Sequence, residues 1–143
     1  MWGIIFSIIA GAAMSFQGVI NTRLSEKMGL FEANTFVQGT AFLLSLLAVW
    51  WFGNGSFKAL LEVNKIYWVA GLLGLIITVT VMLGIRDLSP TVAISTILIS
   101  QLLVAAIIDA FGILGTEQVQ FHWTKFLGIA LMIGGVIVFK LKS

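Results

Sequence analysis

The chain has 143 residues, of which 59% are apolar and 10% charged, and its formal net charge is +2. This composition excludes a soluble surface, and its few scattered basic residues exclude a nucleic-acid patch, so we expect contact with membrane lipid and with no nucleic acid. The absence of Cys and the single His exclude disulfides, haem attachment and a zinc site, so we expect no metal and no cofactor.

The first apolar segment covers residues 2–21 and is free of charge up to Arg23. A signal peptide carries a basic residue before its apolar core, and this segment has none, so we expect a retained membrane span. Within it, Gln17 and Asn21 lie one helical turn apart and therefore share a face. Small residues recur every four positions, which predicts a smooth face for close helix packing. These small residues are Gly3, Ser7, Gly11 and Ser15.

Two more apolar segments, residues 32–52 and 66–85, predict the second and third spans. Gln38 stands in the first turns of the second span, and the Trp50–Trp51 pair at its far end is typical of an interfacial anchor. The third span carries small residues that favour close helix packing. These packing positions are Gly71 and Gly74.

The fourth span, residues 90–111, is the one around which the rest is organised. Ser89 and Pro90 are typical of an N-cap and a first helical residue, and Gly112 is typical of a C-cap. No charge occurs between residues 91 and 108, a stretch of about 18 residues that nearly matches the ~30 Å hydrocarbon core.

Two polar side chains interrupt this apolar helix. Gln101 lies halfway along it, near the bilayer midplane, and Asp109 lies ~12 Å nearer one interface. Both should face protein or a water-filled cavity, because hydrocarbon offers no hydrogen-bond partner. Gln101 either contacts substrate or holds helices together by a hydrogen bond. Asp109 either has a functional role or forms an interfacial ion pair with Lys125 or His122.

The fifth span is expected over residues 121–139, with Gly134 on a small face. Five spans place the termini on opposite sides of the membrane. Lys and Arg number three at span ends on the N-terminal side and five on the other, and so small a bias permits insertion in both orientations. The three are Lys58, Lys65 and Lys125, and the five are Arg23, Lys27, Arg86, Lys140 and Lys142.

We therefore predict an all-α integral membrane protein whose residues 1–143 form a single domain of five transmembrane helices. Such a unit is half of a transporter built from inverted repeats, and two antiparallel copies would complete ten helices. Gln17 and Asn21 of one copy would then reach the depth of Asp109 of the other, although both residues could equally serve packing. The predicted substrate pathway is Gln17, Asn21, Gln38, Gln101 and Asp109.

The motifs of enzymes and of ATP-driven pumps are absent from the sequence. It has no GxxxxGK[ST] motif to bind ATP, no His-Glu-x-x-His and no Ser-His-Asp spacing. We therefore predict no catalytic residues, and any transport would be driven by a gradient or by exchange.

Three stretches together resemble a known family: SFQGVINTRL at residues 15–24, GLLG at 71–74, and SQLL at 100–103 followed by Asp109. They are similar to the YdcZ-like bacterial inner-membrane proteins of the drug/metabolite transporter superfamily, over nearly the whole chain. The resemblance implies a five-helix half-transporter that assembles antiparallel, as a homodimer or with a homologous five-span partner. The chain also resembles the small multidrug-resistance transporters in size, but it lacks their first-span Glu, so their proton-coupled mechanism is not carried over.

The function we expect is secondary transport, as an exporter of a small metabolite or drug-like solute, by a dual-topology dimer in the bacterial inner membrane. The alternative is a non-transporting partner subunit of a heterodimer, or a small membrane assembly protein.

Overall fold

The structure is a computed structural model, and it describes residues 2–119 and 122–141. Within these residues it contains five α-helices and no strand, and all five helical segments are long and apolar enough to cross a membrane. The predicted all-α, five-span architecture is thereby confirmed, while the antiparallel assembly stays a prediction. The α-helices are α1 (Trp2–Met28), α2 (Leu30–Phe52), α3 (Val69–Asp87), α4 (Pro90–Phe111) and α5 (Trp123–Lys140). Short 3-10 helices cover Phe57–Leu61, Lys65–Trp68 and Ile113–Gly115.

The first helix is longer than the predicted span, because the polar segment after residue 21 is also helical. At 27 residues α1 measures ~40 Å, longer than the ~30 Å hydrocarbon core. Its last turns therefore extend into the interface, where Arg23 and Glu26 pair at 3.2 Å. Gly29 ends the helix at a φ of 100°, which side-chain-bearing residues rarely adopt, and α2 begins at the next residue. A single residue thus joins α1 and α2.

The fifth helix begins at Trp123, and the predicted start of its span, Phe121, lies outside the described residues. The third membrane segment spans Lys65–Asp87 because a 3-10 turn precedes α3. The fourth helix has the predicted bounds and caps. Ser89 Oγ accepts a hydrogen bond from the Val92 N–H at 3.4 Å, and Gly112 adopts the left-handed conformation at a φ of 61°.

The chain divides after Gly84 into two compact units. In the first unit α1 packs against α2, and their buried residues are largely small or polar. Gln38 of α2 donates a hydrogen bond to Thr78 of α3. The buried residues of α1 and α2 are Gly18, Asn21, Thr22, Ala33 and Asn34.

In the second unit α4 packs against α5, and the segment after α4 folds back on that helix. The Gln118 side chain donates to the Ala110 carbonyl at 2.9 Å, and the Val119 N–H donates to the Asp109 carbonyl at 2.9 Å. These bonds satisfy carbonyls that the end of a helix leaves without an intrahelical partner.

The predicted packing glycines differ in what surrounds them. A methyl group added at Gly3, Gly11, Gly71 or Gly134 would meet no described atom within 4 Å, whereas one at Gly74 would lie 3.6 Å from the Gln38 amide nitrogen. Close packing at Gly3, Gly11, Gly71 and Gly134 therefore stays a prediction.

Candidate functional site

Gln101 occupies the middle of α4 and is exposed on the helix surface. Among the described residues its side chain has no hydrogen-bond partner. In hydrocarbon an unpaired amide costs about 1–3 kcal/mol, so this face of α4 is suited to contact protein, water or a polar solute. Within this chain the structure therefore gives no support to Gln101 as an internal tie between helices.

Asp109 pairs with Lys125, as one of the sequence alternatives predicts. Lys125 Nζ lies 3.7 Å from Asp109 Oδ2, and the two side chains remain 35% and 46% exposed, respectively. Exposed pairs of this kind contribute ~0–1 kcal/mol. His122, the other predicted partner, stands at the N-cap position of α5 without a capping hydrogen bond from its side chain.

The ion pair lies at the edge of a groove between α4 and α5. The groove has a volume of about 480 Å³, and its lining is apolar apart from Asp109 and Lys125. Gln101 is not part of this lining, so the structure keeps the two polar residues of α4 in separate surroundings. The apolar lining residues are Leu102, Ala105, Ala106, Gly128, Ile129 and Met132.

Gln17 and Asn21 also have different surroundings, although one helical turn separates them. Asn21 is 5% exposed and belongs to the buried side of α1, whereas Gln17 is exposed. The burial of Asn21 favours the packing alternative for that residue. The Gln17 amide has no hydrogen-bond partner among the described residues and lies in the membrane-spanning part of its helix, as the Gln101 amide does.

Gln38 connects α2 to α3. Its Nε2 donates to Thr78 Oγ1 at 3.3 Å, and the Thr78 hydroxyl in turn donates to the Gly74 carbonyl at 2.8 Å. This chain of hydrogen bonds is the reason why Gly74 has a polar neighbour. In a membrane an interhelical hydrogen bond of this type contributes about 0.6 kcal/mol.

A second groove, of about 720 Å³, runs between α2 and α3 beside Gln38. Asn34 is part of its lining although only 5% of this residue is exposed, and the Asn34 Oδ1 atom is buried without a hydrogen bond in the described part of the chain. Neither Asn34 nor Thr78 is among the pathway residues predicted from the sequence. The available signal was their spacing: Asn34 and Gln38 lie one turn apart on α2, and so do Gly74 and Thr78 on α3.

The predicted pathway residues therefore fall into local groups. Gln38 shares a groove with Asn34 in the first unit, and Asp109 shares one with Lys125 in the second. Gln17 and Gln101 stay exposed and unpaired among the described residues.

Comparison with known proteins identifies the family. The family model described as "Putative inner membrane exporter, YdcZ" matches residues 2–138, which include all three stretches on which the sequence resemblance depends. No curated protein and no solved structure matches the chain. The description names an inner-membrane exporter and not an enzyme, and the five long apolar helices fit a multi-pass membrane protein. The chain belongs to the YdcZ family, whose description names an inner-membrane exporter.

Proposed function

We propose that the chain is one half of a secondary exporter in the bacterial inner membrane, and that two copies inserted in opposite orientations form the ten-helix transporter. The exported substrate is a small metabolite or drug-like solute, bound at the midplane between the copies. A gradient or exchange drives transport, because the sequence has no P-loop for ATP. The family match and the five membrane-spanning helices support the proposal.

The exposed amide of Gln101 is the observation that carries the proposal. It lies halfway along a 22-residue helix of ~33 Å, and therefore near the centre of the bilayer. Antiparallel pairing relates the two copies by an axis in the membrane plane, which keeps a midplane residue at the midplane. Both Gln101 amides can then face one central site and bind a polar solute there.

Residues away from the midplane exchange depths under the same symmetry. Asp109 lies ~12 Å from Gln101, toward the side of the membrane that holds the N-terminus. Gln17 is in the second half of α1, and therefore nearer the other side. In an antiparallel pair, Gln17 of one copy therefore approaches the depth of Asp109 of the other. Each end of the pathway then combines an amide with the Asp109–Lys125 pair, and a single copy has an incomplete pathway and should be inactive.

Cross-linking tests the pairing. The chain contains no Cys, so Gln101→Cys introduces a single thiol. Because a solute site separates the two thiols, a direct disulfide is too short to join them, and we expect a bifunctional maleimide added to native membranes to give a covalent dimer. Leu103→Cys is the matched control, because two residues along a helix point ~200° apart, and it should remain monomeric. Failure of the Gln101→Cys thiol to cross-link, or equal cross-linking at both positions, contradicts the midplane pairing.

A comparison of secreted solutes tests export itself. Medium from cells that express the wild-type chain should accumulate at least one small solute that is depleted in medium from Gln101→Ala cells with equal membrane expression. If the wild-type and empty-vector media are identical, the chain is not an exporter on its own, and the alternative of a non-transporting partner subunit is favoured.

A further inference from the structure

The groove between α4 and α5 carries both of its charges at one end. Asp109 and Lys125 form that end, and Leu102 and Met132 lie at the other end, seven residues away along each helix. Seven residues of α-helix measure ~10 Å, so this groove is a short apolar channel in the protein surface with a charged head. The lining between the two ends is apolar as well. It consists of Ala105, Ala106, Gly128 and Ile129.

The two charges are accessible, and they do not satisfy each other completely. Lys125 Nζ and Asp109 Oδ2 are 3.7 Å apart, which is beyond the ~2.7–2.9 Å of a charge-assisted hydrogen bond. Both side chains remain partly exposed. A carboxylate and an ammonium group can each make several hydrogen bonds. Both groups can therefore bind a further polar group without breaking their own ion pair.

An ion pair of this kind selects a ligand by its pattern of charge. A simple cation is attracted by Asp109 but repelled by Lys125 at nearly the same distance, and for a simple anion the two effects are reversed, so they largely cancel. A zwitterion with adjacent charges gains from both residues, because its ammonium group lies against Asp109 while its carboxylate lies against Lys125. Each of the four charges then has an opposite neighbour, beside apolar side chains where screening is weak.

We propose that the α4–α5 groove binds a free apolar α-amino acid. The ammonium group donates hydrogen bonds to Asp109, and the carboxylate accepts them from Lys125. The apolar side chain lies along the groove toward Leu102 and Met132. The volume of about 480 Å³ is within the range of small-molecule sites.

The dimensions of the groove favour an amino acid over other zwitterions. An α-amino acid carries both charges on one carbon, as the 3.7 Å spacing requires, whereas the two termini of a peptide lie farther apart. An acyl chain of a zwitterionic phospholipid spans half of the ~30 Å hydrocarbon core, and it is longer than the ~10 Å groove. The inference rests on the proposed function, since it names a solute class for one end of the pathway, but the groove lies within one copy and its binding is measured without transport.

The test is equilibrium binding of tritiated L-phenylalanine to the full chain in phosphatidylglycerol nanodiscs, with empty nanodiscs as the partitioning blank. We expect saturable binding that unlabelled L-phenylalanine displaces. 2-Phenylethylamine lacks the carboxylate and 3-phenylpropanoate lacks the ammonium group, so each should compete about tenfold more weakly. Free glycine keeps both charges but has no apolar side chain, and it should also compete weakly.

Variants locate the binding in the groove. Asp109→Asn and Lys125→Gln each remove one charge, and each should weaken binding about tenfold. Gly128→Leu places a side chain in the groove and should weaken binding by a similar factor. Gly135→Leu is its matched control, because Gly135 lies two turns further along α5, outside the groove, and both glycines have no described atom within 4 Å of a built methyl group. The control should bind L-phenylalanine as the wild type does.

The absence of saturable binding, equal competition by either single-charge analogue, or unchanged binding by Gly128→Leu overturns the inference. Binding that is lost when phosphatidylethanolamine is added to the nanodiscs assigns the groove to a lipid head group and also overturns it. Binding of L-phenylalanine without any exported solute leaves the groove standing and contradicts the exporter, whereas export without L-phenylalanine binding overturns the groove alone.

Discussion

Lys125 Nζ lies 3.7 Å from Asp109 Oδ2, and this ion pair joins the last turn of α4 to the first turn of α5. A carboxylate at the C-terminal end of a helix is disfavoured by the helix dipole, so the lysine offsets an unfavourable position. The same pair also gives an otherwise apolar groove one polar end. We therefore expect the loss of the Asp109 charge to change stability little and transport strongly.

Asp109→Asn should separate these two contributions. Because the ion pair is partly exposed, we expect the free energy of unfolding to fall by less than about 1 kcal/mol, with expression and dimerisation intact. Export should be abolished, since the pathway loses its only carboxylate in that groove. Unfolding in detergent and the secreted-solute comparison are the two measurements.

The control for this prediction is charge exchange. Asp109→Lys places two ammonium groups side by side, and adding Lys125→Asp restores a pair of opposite charges, so the double variant should regain the stability that the single variant loses. If Asp109→Asn keeps full export, the residue serves only as an interfacial ion pair.

Gln101→Ala should abolish export while membrane expression and dimerisation stay at the wild-type level. The amide makes no hydrogen bond among the described residues, so its removal costs the single chain nothing that would appear as unfolding. Ser100→Ala, one residue earlier on the same helix, is the matched control and should export normally. A Gln101→Ala chain that no longer dimerises would mean that the amide holds the two copies together.

Thr78→Val should destabilise the chain by about 0.6 kcal/mol, because it removes the hydroxyl that accepts the interhelical hydrogen bond from Gln38. Thr80 lies on the same helix, and its hydroxyl donates only to carbonyls of its own helix, at 2.7 and 3.1 Å. Thr80→Val should therefore cost less. Unfolding of both variants by titration with SDS measures the difference, and equal losses would show that the Gln38 bond adds no stability.

The fold was largely predictable because a bilayer imposes its thickness on the sequence. Long apolar segments with few charged residues predicted all five spans, and the caps Ser89 and Gly112 predicted the bounds of α4. The end of α1 was less predictable, since Arg23 marks where the hydrocarbon ends and a helix can continue through the interface to a residue such as Gly29.

The candidate site was predictable in its residue types but not in its contacts. Sequence spacing placed Gln17 and Asn21 on one face, yet packing against α2 buried Asn21 and left Gln17 exposed. The partner of Gln38 could not be read from spacing, because Thr78 is 40 residues away and meets it only through helix packing. The open oxygen of Asn34 is likewise a result of packing.

The orientation of the chain is the prediction on which the dimer depends. Single cysteines at Trp2 and Ser143, in a chain without natural Cys, should each react partially with an impermeant maleimide in intact cells. With five spans the two positions lie on opposite sides, so partial labelling of both requires two populations of opposite orientation, as the weak charge bias permits. Replacing three residues at the N-terminal side, Lys58, Lys65 and Lys125, by Gln strengthens the bias and should leave only Trp2→Cys labelled. Labelling of one terminus alone in the wild-type background would fix the orientation, and the antiparallel partner would then have to be a different five-span chain.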